Sequence, residues 1–242
     1  MNLFSMIFLI VAAVLPAAVL MFIIFRKDKV EREPVGVVLR LALFGAAATL
    51  IAGRLNYYGQ LILSWLPEGL FNFLFYFLVV GPVEEGVKYG VLRTNTWKNT
   101  NFDHTFDAVV YACFVGLGFA LWENVDYVLD YGFSTALIRA ITAVPGHCSF
   151  AVFMGLFYGA AKRADIAGDA AGRKKQNWLA WLIPALIHGC YDYVAVSEST
   201  LGSMAFFCFI ALMFIVALVT FNRAAKTDSA LVRTAETEEE WQ

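Results

Sequence analysis

The chain has 242 residues, of which 60% are hydrophobic and only 16% charged, with a mean hydropathy of +0.65. Soluble domains are about 45–50% apolar and about 25% charged, so this composition excludes one and indicates an all-α, polytopic membrane helix bundle. The formal net charge of −2 points to the lipid bilayer and away from nucleic acid as a partner.

A membrane-crossing helix needs about 20 apolar residues. That yardstick predicts seven transmembrane helices, at about 3–25, 35–54, 70–92, 106–130, 135–161, 178–197 and 202–222. The first run, Leu3 to Phe25, has no basic flank before it and exceeds the roughly 7–15 residues of a signal-peptide core, so it reads as a retained span. Segment 55–69, with Asn56, Tyr57, Tyr58 and Gln60 before Leu61 to Leu66, has room for a short re-entrant or interfacial helix, an eighth element. Residues 1–222 are thus expected as one integral membrane domain whose site-bearing core is about 70–197. Residues 223–242, ending in Glu236 to Glu240, read as a solvated acidic tail. The four cysteines, Cys113, Cys148, Cys190 and Cys208, fall in apolar stretches and suit small apolar packing better than a disulfide scaffold.

Orientation follows from charge. Fourteen of the 18 basic residues lie in 26–33, 93–104, 162–177 and the C-terminal tail, which are alternate connections. Segments 55–69, 131–134 and 198–201 carry none. The positive-inside rule then puts the N-terminus outside and the C-terminus in the cytoplasm of a multi-pass cell-membrane protein.

Ionisable groups at membrane depth are costly, at roughly 2.5–3.5 kcal/mol each on insertion scales, and they normally face a polar interior and carry chemistry or transport. Glu84 and Glu85 interrupt the third span. Glu84 and Lys88 are four apart on one face, with Glu85 about 100° round. One lysine cannot neutralise both carboxylates, and that pairing suits a general acid or base. The fourth span carries Phe119, Glu123 and Asn124 beside Gly116 and Gly118. The fifth carries His147 in Pro145-Gly146-His147, read as a kink that opens a cavity. The sixth carries His188 and Asp192, four apart, so that the carboxylate can orient the imidazole. Counting about 1.5 Å per residue puts Glu84, His147 and His188 in one plane within the cytoplasmic half, with Glu123 nearer the outside.

These motifs, in this order and in separate spans, resemble the PrsW-type intramembrane proteases, within the clan of the CAAX prenyl proteases. The resemblance covers roughly residues 75 to 195 and includes Phe106-Asp107-Ala108-Val109-Val110-Tyr111. Where the CAAX enzymes have a histidine after Phe-x-x-x, this chain has Glu123, as PrsW-type members do. The resemblance implies regulated intramembrane proteolysis in a bacterial membrane. The glutamate pair would activate water, and the substrate would be a membrane-anchored, single-pass protein such as an anti-sigma factor.

The expected catalytic set is therefore Glu84 as general base, Glu85 as proton partner or Lys88-held neighbour, and His147 with His188, oriented by Asp192, for oxyanion or leaving-group work. Glu123 and Asn124 would shape the pocket. No cofactor is required by this scheme, though Glu84, His147 and His188 are acceptable zinc ligands. The rival reading is a proton- or cation-coupled transporter that uses the same buried Glu/His chain. Against it, no internal repeat of the transporter kind is visible.

Overall fold

In hydrocarbon every backbone N–H and C=O must be satisfied within its own segment, which leaves helices as the only option for isolated apolar runs. The computed structural model describes residues 3–231; Arg233 and the acidic run Glu236 to Glu240 lie outside the described residues. In chain order the helices are α1 (Leu3–Lys27), α2 (Val35–Leu63), α3 (Glu68–Leu74), a π-helical segment (Phe75–Val80), α4 (Gly81–Thr96), α5 (Asp107–Tyr131), α6 (Phe133–Ile141), α7 (Ala143–Ile166), α8 (Ala170–Ala195) and α9 (Thr200–Lys226). No strand occurs among the described residues.

Among the described residues, six segments are long and apolar enough to cross a membrane: Leu3–Lys27, Val35–Leu63, Glu68–Thr96, Asp107–Tyr131, Phe133–Ile166 and Thr200–Lys226. The seventh expected span lies on α8, whose 26 residues suffice in length. Arg173, Lys174, Lys175, His188 and Asp192 lower its apolarity. Two boundaries differ from the sequence reading. α2 continues to Leu63, so Asn56, Tyr57 and Tyr58 lie on it and no separate helix fills 55–63; the short helix is α3, entered through Pro67. The expected span 135–161 is divided at Thr142 (φ −119°, ψ −71°) into α6 and α7.

α5 is the central helix, with every residue from Asp107 to Ala120 buried. It lies against α1, α2 and α7, while α8 packs on α7 and α4. Small residues set the closest crossings. A Cβ on Gly118 would fall on the Ala42 carbonyl, and one on Gly45 on that of Val115, so α2 and α5 touch backbone to backbone. The outer surface is apolar: Phe4 is 80% exposed and Leu43 71%, as side chains facing lipid require. After α9 the chain folds back. Thr105 N–H donates to the Ser229 carbonyl (3.1 Å) and Phe106 N–H to Asp228 Oδ1 (2.9 Å), so residues 228–231 lie against the α4–α5 connection.

Candidate active site

Pro82 has no N–H, and in a regular helix its ring would clash with the carbonyl four residues back. The preceding turn widens instead, and Gly81 N–H donates five residues back to the Tyr76 carbonyl. Such π segments concentrate at functional sites. This one presses the start of α4 against α8: a Cβ on Gly81 would strike the Ala185 carbonyl, and one on Gly189 would lie 2.7 Å from the Tyr76 carbonyl. That approach sets Glu84 and Glu85 beside His188.

Glu84, Glu85, Lys88, His147 and His188 are all at least 94% buried. Lys88 Nζ donates to Glu85 Oε1 (2.7 Å) and to His147 Nδ1 (2.9 Å), and it sits 4.1 Å over the Phe119 ring. Its distance to Glu84 Oε2 is 3.7 Å, so of the two carboxylates it is Glu85 that Lys88 holds. An ammonium cannot accept, so His147 carries its proton on Nε2 and donates it to Glu123 Oε2 (2.9 Å). His188 Nδ1 donates to Glu85 Oε1 (2.9 Å), leaving Nε2 toward Asp192 Oδ2 (3.4 Å) and Glu84 Oε2 (3.8 Å). Glu84 Oε1 accepts from Asn56 Nδ2 (3.1 Å), whereas its Oε2 has no hydrogen-bond partner among the described residues.

A cavity of about 490 Å³ opens over this group, lined by Glu84, Glu123, His147, His188 and Asp192 from four helices and by Asn56 from α2. Three expectations change. Asp192 is the longer contact of His188, and the cross-helix carboxylate Glu85 holds the imidazole. Asn124 stands outside the cavity, donating to the Ala13 carbonyl on α1 (2.7 Å) and accepting from Arg139 Nε (2.8 Å). Glu123, expected nearer the outside than the histidines, is in direct contact with His147.

The depth estimate shifts for the same reason that Glu123 joins the site. Pro145 sits in the first turn of α7, where a missing N–H is harmless, so it marks a helix start and not a kink. At about 1.5 Å per residue, His147 lies roughly 28 Å along α7 from Ile166, His188 roughly 27 Å along α8 from Ala170, and Glu123 roughly 24 Å along α5 from Asp107. These are the ends that carry the basic connections. The cavity therefore belongs to the other half of the bundle.

Two members of the site are not singled out by the sequence reading. Arg139, on α6, donates through Nη2 to Glu123 Oε2 (2.7 Å) and stacks 3.9 Å over Tyr127. Asn56 lay in the connection 55–69, read as having room for a short re-entrant or interfacial helix and not as part of the second span. For Arg139 the usable signal was a lone basic residue inside the expected span 135–161.

The donor atoms of Glu84, His147 and His188 lie within 4.8 Å of one another, a grouping able to hold a metal ion. Glu84 Oε2 is unpartnered, and the other nitrogen of His188 is fixed by a carboxylate, as for most metal-ligating histidines. His147 would have to exchange its Lys88 contact for the ion. The residues fit a zinc-class ion on these terms.

The profile of a family described as "PrsW family intramembrane metalloprotease" matches residues 33–220. Relatives named Protease PrsW include one from Geobacillus kaustophilus, 33% identical over 80% of this chain and 82% of its own length. The one from Bacillus subtilis is 31% identical over 79% and 84%, and that from Clostridioides difficile 32% over 78% and 80%. No solved structure matches.

Proposed function

Because the chain belongs to the PrsW family of intramembrane proteases, we propose that it hydrolyses a peptide bond of a single-pass membrane-anchored protein, with Glu84 activating the attacking water. The observation that carries this reading is Glu84 Oε2: buried, without a hydrogen-bond partner among the described residues, and 3.8 Å from His188 Nε2 at the cavity. Glu84 takes the water proton as the oxygen adds to the scissile carbonyl. His188, its Nδ1 fixed on Glu85, carries a proton at Nε2 to the departing amine as the C–N bond breaks. Lys88, held between Glu85 and His147, supplies positive charge near the developing oxyanion, and His147, fixed by Lys88 and Glu123, keeps it in place.

A metal-dependent form of the same chemistry is supported by the Glu84/His147/His188 donor set and by the family's description. When bound, such an ion supplies Lewis-acid activation of water and carbonyl. The substrate class inferred from the family resemblance is an anti-sigma factor. With the basic connections in the cytoplasm, its scissile bond would lie in the outer half of the bilayer. The transporter alternative finds no support in the family membership.

The test is cleavage of a tagged single-pass anti-sigma-type reporter co-reconstituted with the purified protein in liposomes, with the product termini mapped by mass spectrometry. Defined products with termini in the outer half support the proposal. An intact reporter together with proton flux through the liposome membrane refutes it. Metal analysis of the active preparation, and loss of cleavage on chelation, decide between the two forms.

A further inference from the structure

The third histidine, His104, takes no part in the cavity. It lies on the α4–α5 connection, at the end of the bundle that carries the basic connections, and its backbone is fixed from two sides. Asp107 Oδ2 accepts from the N–H groups of His104 (2.6 Å) and Asp103 (3.1 Å), while Ala230 pairs with His104 across the bridge. Asp103 Oδ1 is 2.9 Å from His104 Nδ1, and Glu31 Oε2, from the α1–α2 connection, is 3.7 Å from the same nitrogen. All three donor atoms lie within 4.8 Å of one another.

Metal–ligand bonds of about 2.1 Å span 2.9 Å at an angle of about 90° and 3.7 Å at about 120°. Both angles are ordinary around a first-row divalent ion. We propose that Glu31, Asp103 and His104 bind a divalent cation of the zinc or manganese class, which ties the α1–α2 connection to the α4–α5 connection. One imidazole among carboxylates favours a borderline ion over magnesium or calcium.

Asp28 gives an independent indication. It is only 1% exposed and interacts electrostatically with His104, and its Oδ1 has no hydrogen-bond partner among the described residues. Its Oδ2 accepts from Glu33 N–H (3.2 Å). A buried carboxylate in that state calls for positive charge nearby. The ion pairs of Glu31 and Asp103 both go to His104, and Arg32 acts on Asp28 only at longer range. Asp107 and Asp228 add further negative field at the imidazole. A single imidazolium is a small counter-charge for that many carboxylates, and a divalent ion is the better match.

The experiment uses the full chain, purified in detergent and stripped of metal, carrying Glu84→Gln and His188→Ala to silence the other donor group. It is titrated with manganese chloride alone and followed by electron paramagnetic resonance. The expected result is one ion per chain with a nitrogen coupling, absent in His104→Gln. Glu31→Gln changes a side chain that is 65% exposed, so folding does not depend on it. It should weaken binding at least about tenfold, since even an outer partner of a metal ligand is worth about 10–100-fold. Amide exchange of residues 103–105 and 229–231 should slow on binding. No stoichiometric binding, or binding unchanged in both variants, overturns the proposal and leaves the His104 imidazolium as the local counter-charge.

Discussion

Gly189 is the residue on which the α4–α8 contact depends, and Gly189→Ala tests whether that contact sets the chemistry. The new Cβ would lie 2.7 Å from the Tyr76 carbonyl oxygen and 3.1 Å from Phe77 Cα, both backbone atoms of the π-helical segment. A carbon needs about 3.4 Å from a carbonyl oxygen, so α8 must withdraw from the start of α4 by roughly 0.7 Å. The Glu85–His188 hydrogen bond is 2.9 Å; lengthened by that amount it passes roughly 3.6 Å and ceases to be one. Overpacking of this kind destabilises by about 1–3 kcal/mol. Misplacement near 1 Å lowers turnover by about 10²-fold. The assay is reporter cleavage in liposomes beside thermal unfolding in detergent, with Gly90→Ala as the control, since its Cβ meets nothing within 4 Å. Wild-type turnover in a folded Gly189→Ala protein would refute the reasoning.

Three further outcomes are expected. Glu85 and His188 should act as a unit, so Glu85→Gln plus His188→Ala is scarcely slower than His188→Ala alone, and Asp192→Asn keeps more activity than Glu85→Gln; multiplicative losses in kcat contradict this. Arg139→Gln frees Glu123 and with it the His147 ring, and should lower kcat by about 10–100-fold while Arg139→Lys recovers part of it; equal rates in all three proteins would show that the guanidinium is not needed. Glu33, 4% exposed, has its carboxyl pushed up to about 8 by burial, with Asp107 and Asp28 adding repulsion. Its stabilisation is then full below the ordinary carboxylate value and is lost as pH rises toward 8, so the unfolding temperature of Glu33→Gln should gain on wild type from pH 5 to pH 9; parallel pH curves would contradict the assignment.

Much of this site was legible in the sequence because charge in hydrocarbon is rare enough to stand out. Glu84, Glu85, His147 and His188 interrupt apolar runs, and the structure brings all four together. What stayed hidden depended on contacts between helices. The i,i+4 rule pairs His188 with Asp192 and Lys88 with Glu84. Glu85 is the closer partner of both: of Lys88 within α4, an alternative the sequence already offered, and of His188 across helices, because Gly81 and Gly189 let α4 and α8 approach. The division at Thr142 has no hydropathy signal, since residues 133–166 are apolar enough to read as one span. That masked the true start of α7, displaced His147 in the depth count and pushed Glu123 to the margin. The polarity of Asn56 and Tyr57 placed them beyond the second span, in the connection 55–69, whereas α2 carries Asn56 as far as Glu84. α8, on which the seventh expected span lies, is less apolar than the other six segments because of its basic first turns, His188 and Asp192.

The central claim is that Glu84 supplies the general base for peptide hydrolysis at this cavity, and Glu84→Gln tests it most directly. The substitution keeps shape and the Asn56 contact while removing the basic oxygen, so yield and unfolding temperature should stay close to wild type. Single-turnover cleavage of the reporter should fall by about 10²–10³, the lower range of what a positioned general base contributes. A folded Glu84→Gln protein that cleaves the reporter at the wild-type rate would contradict the account.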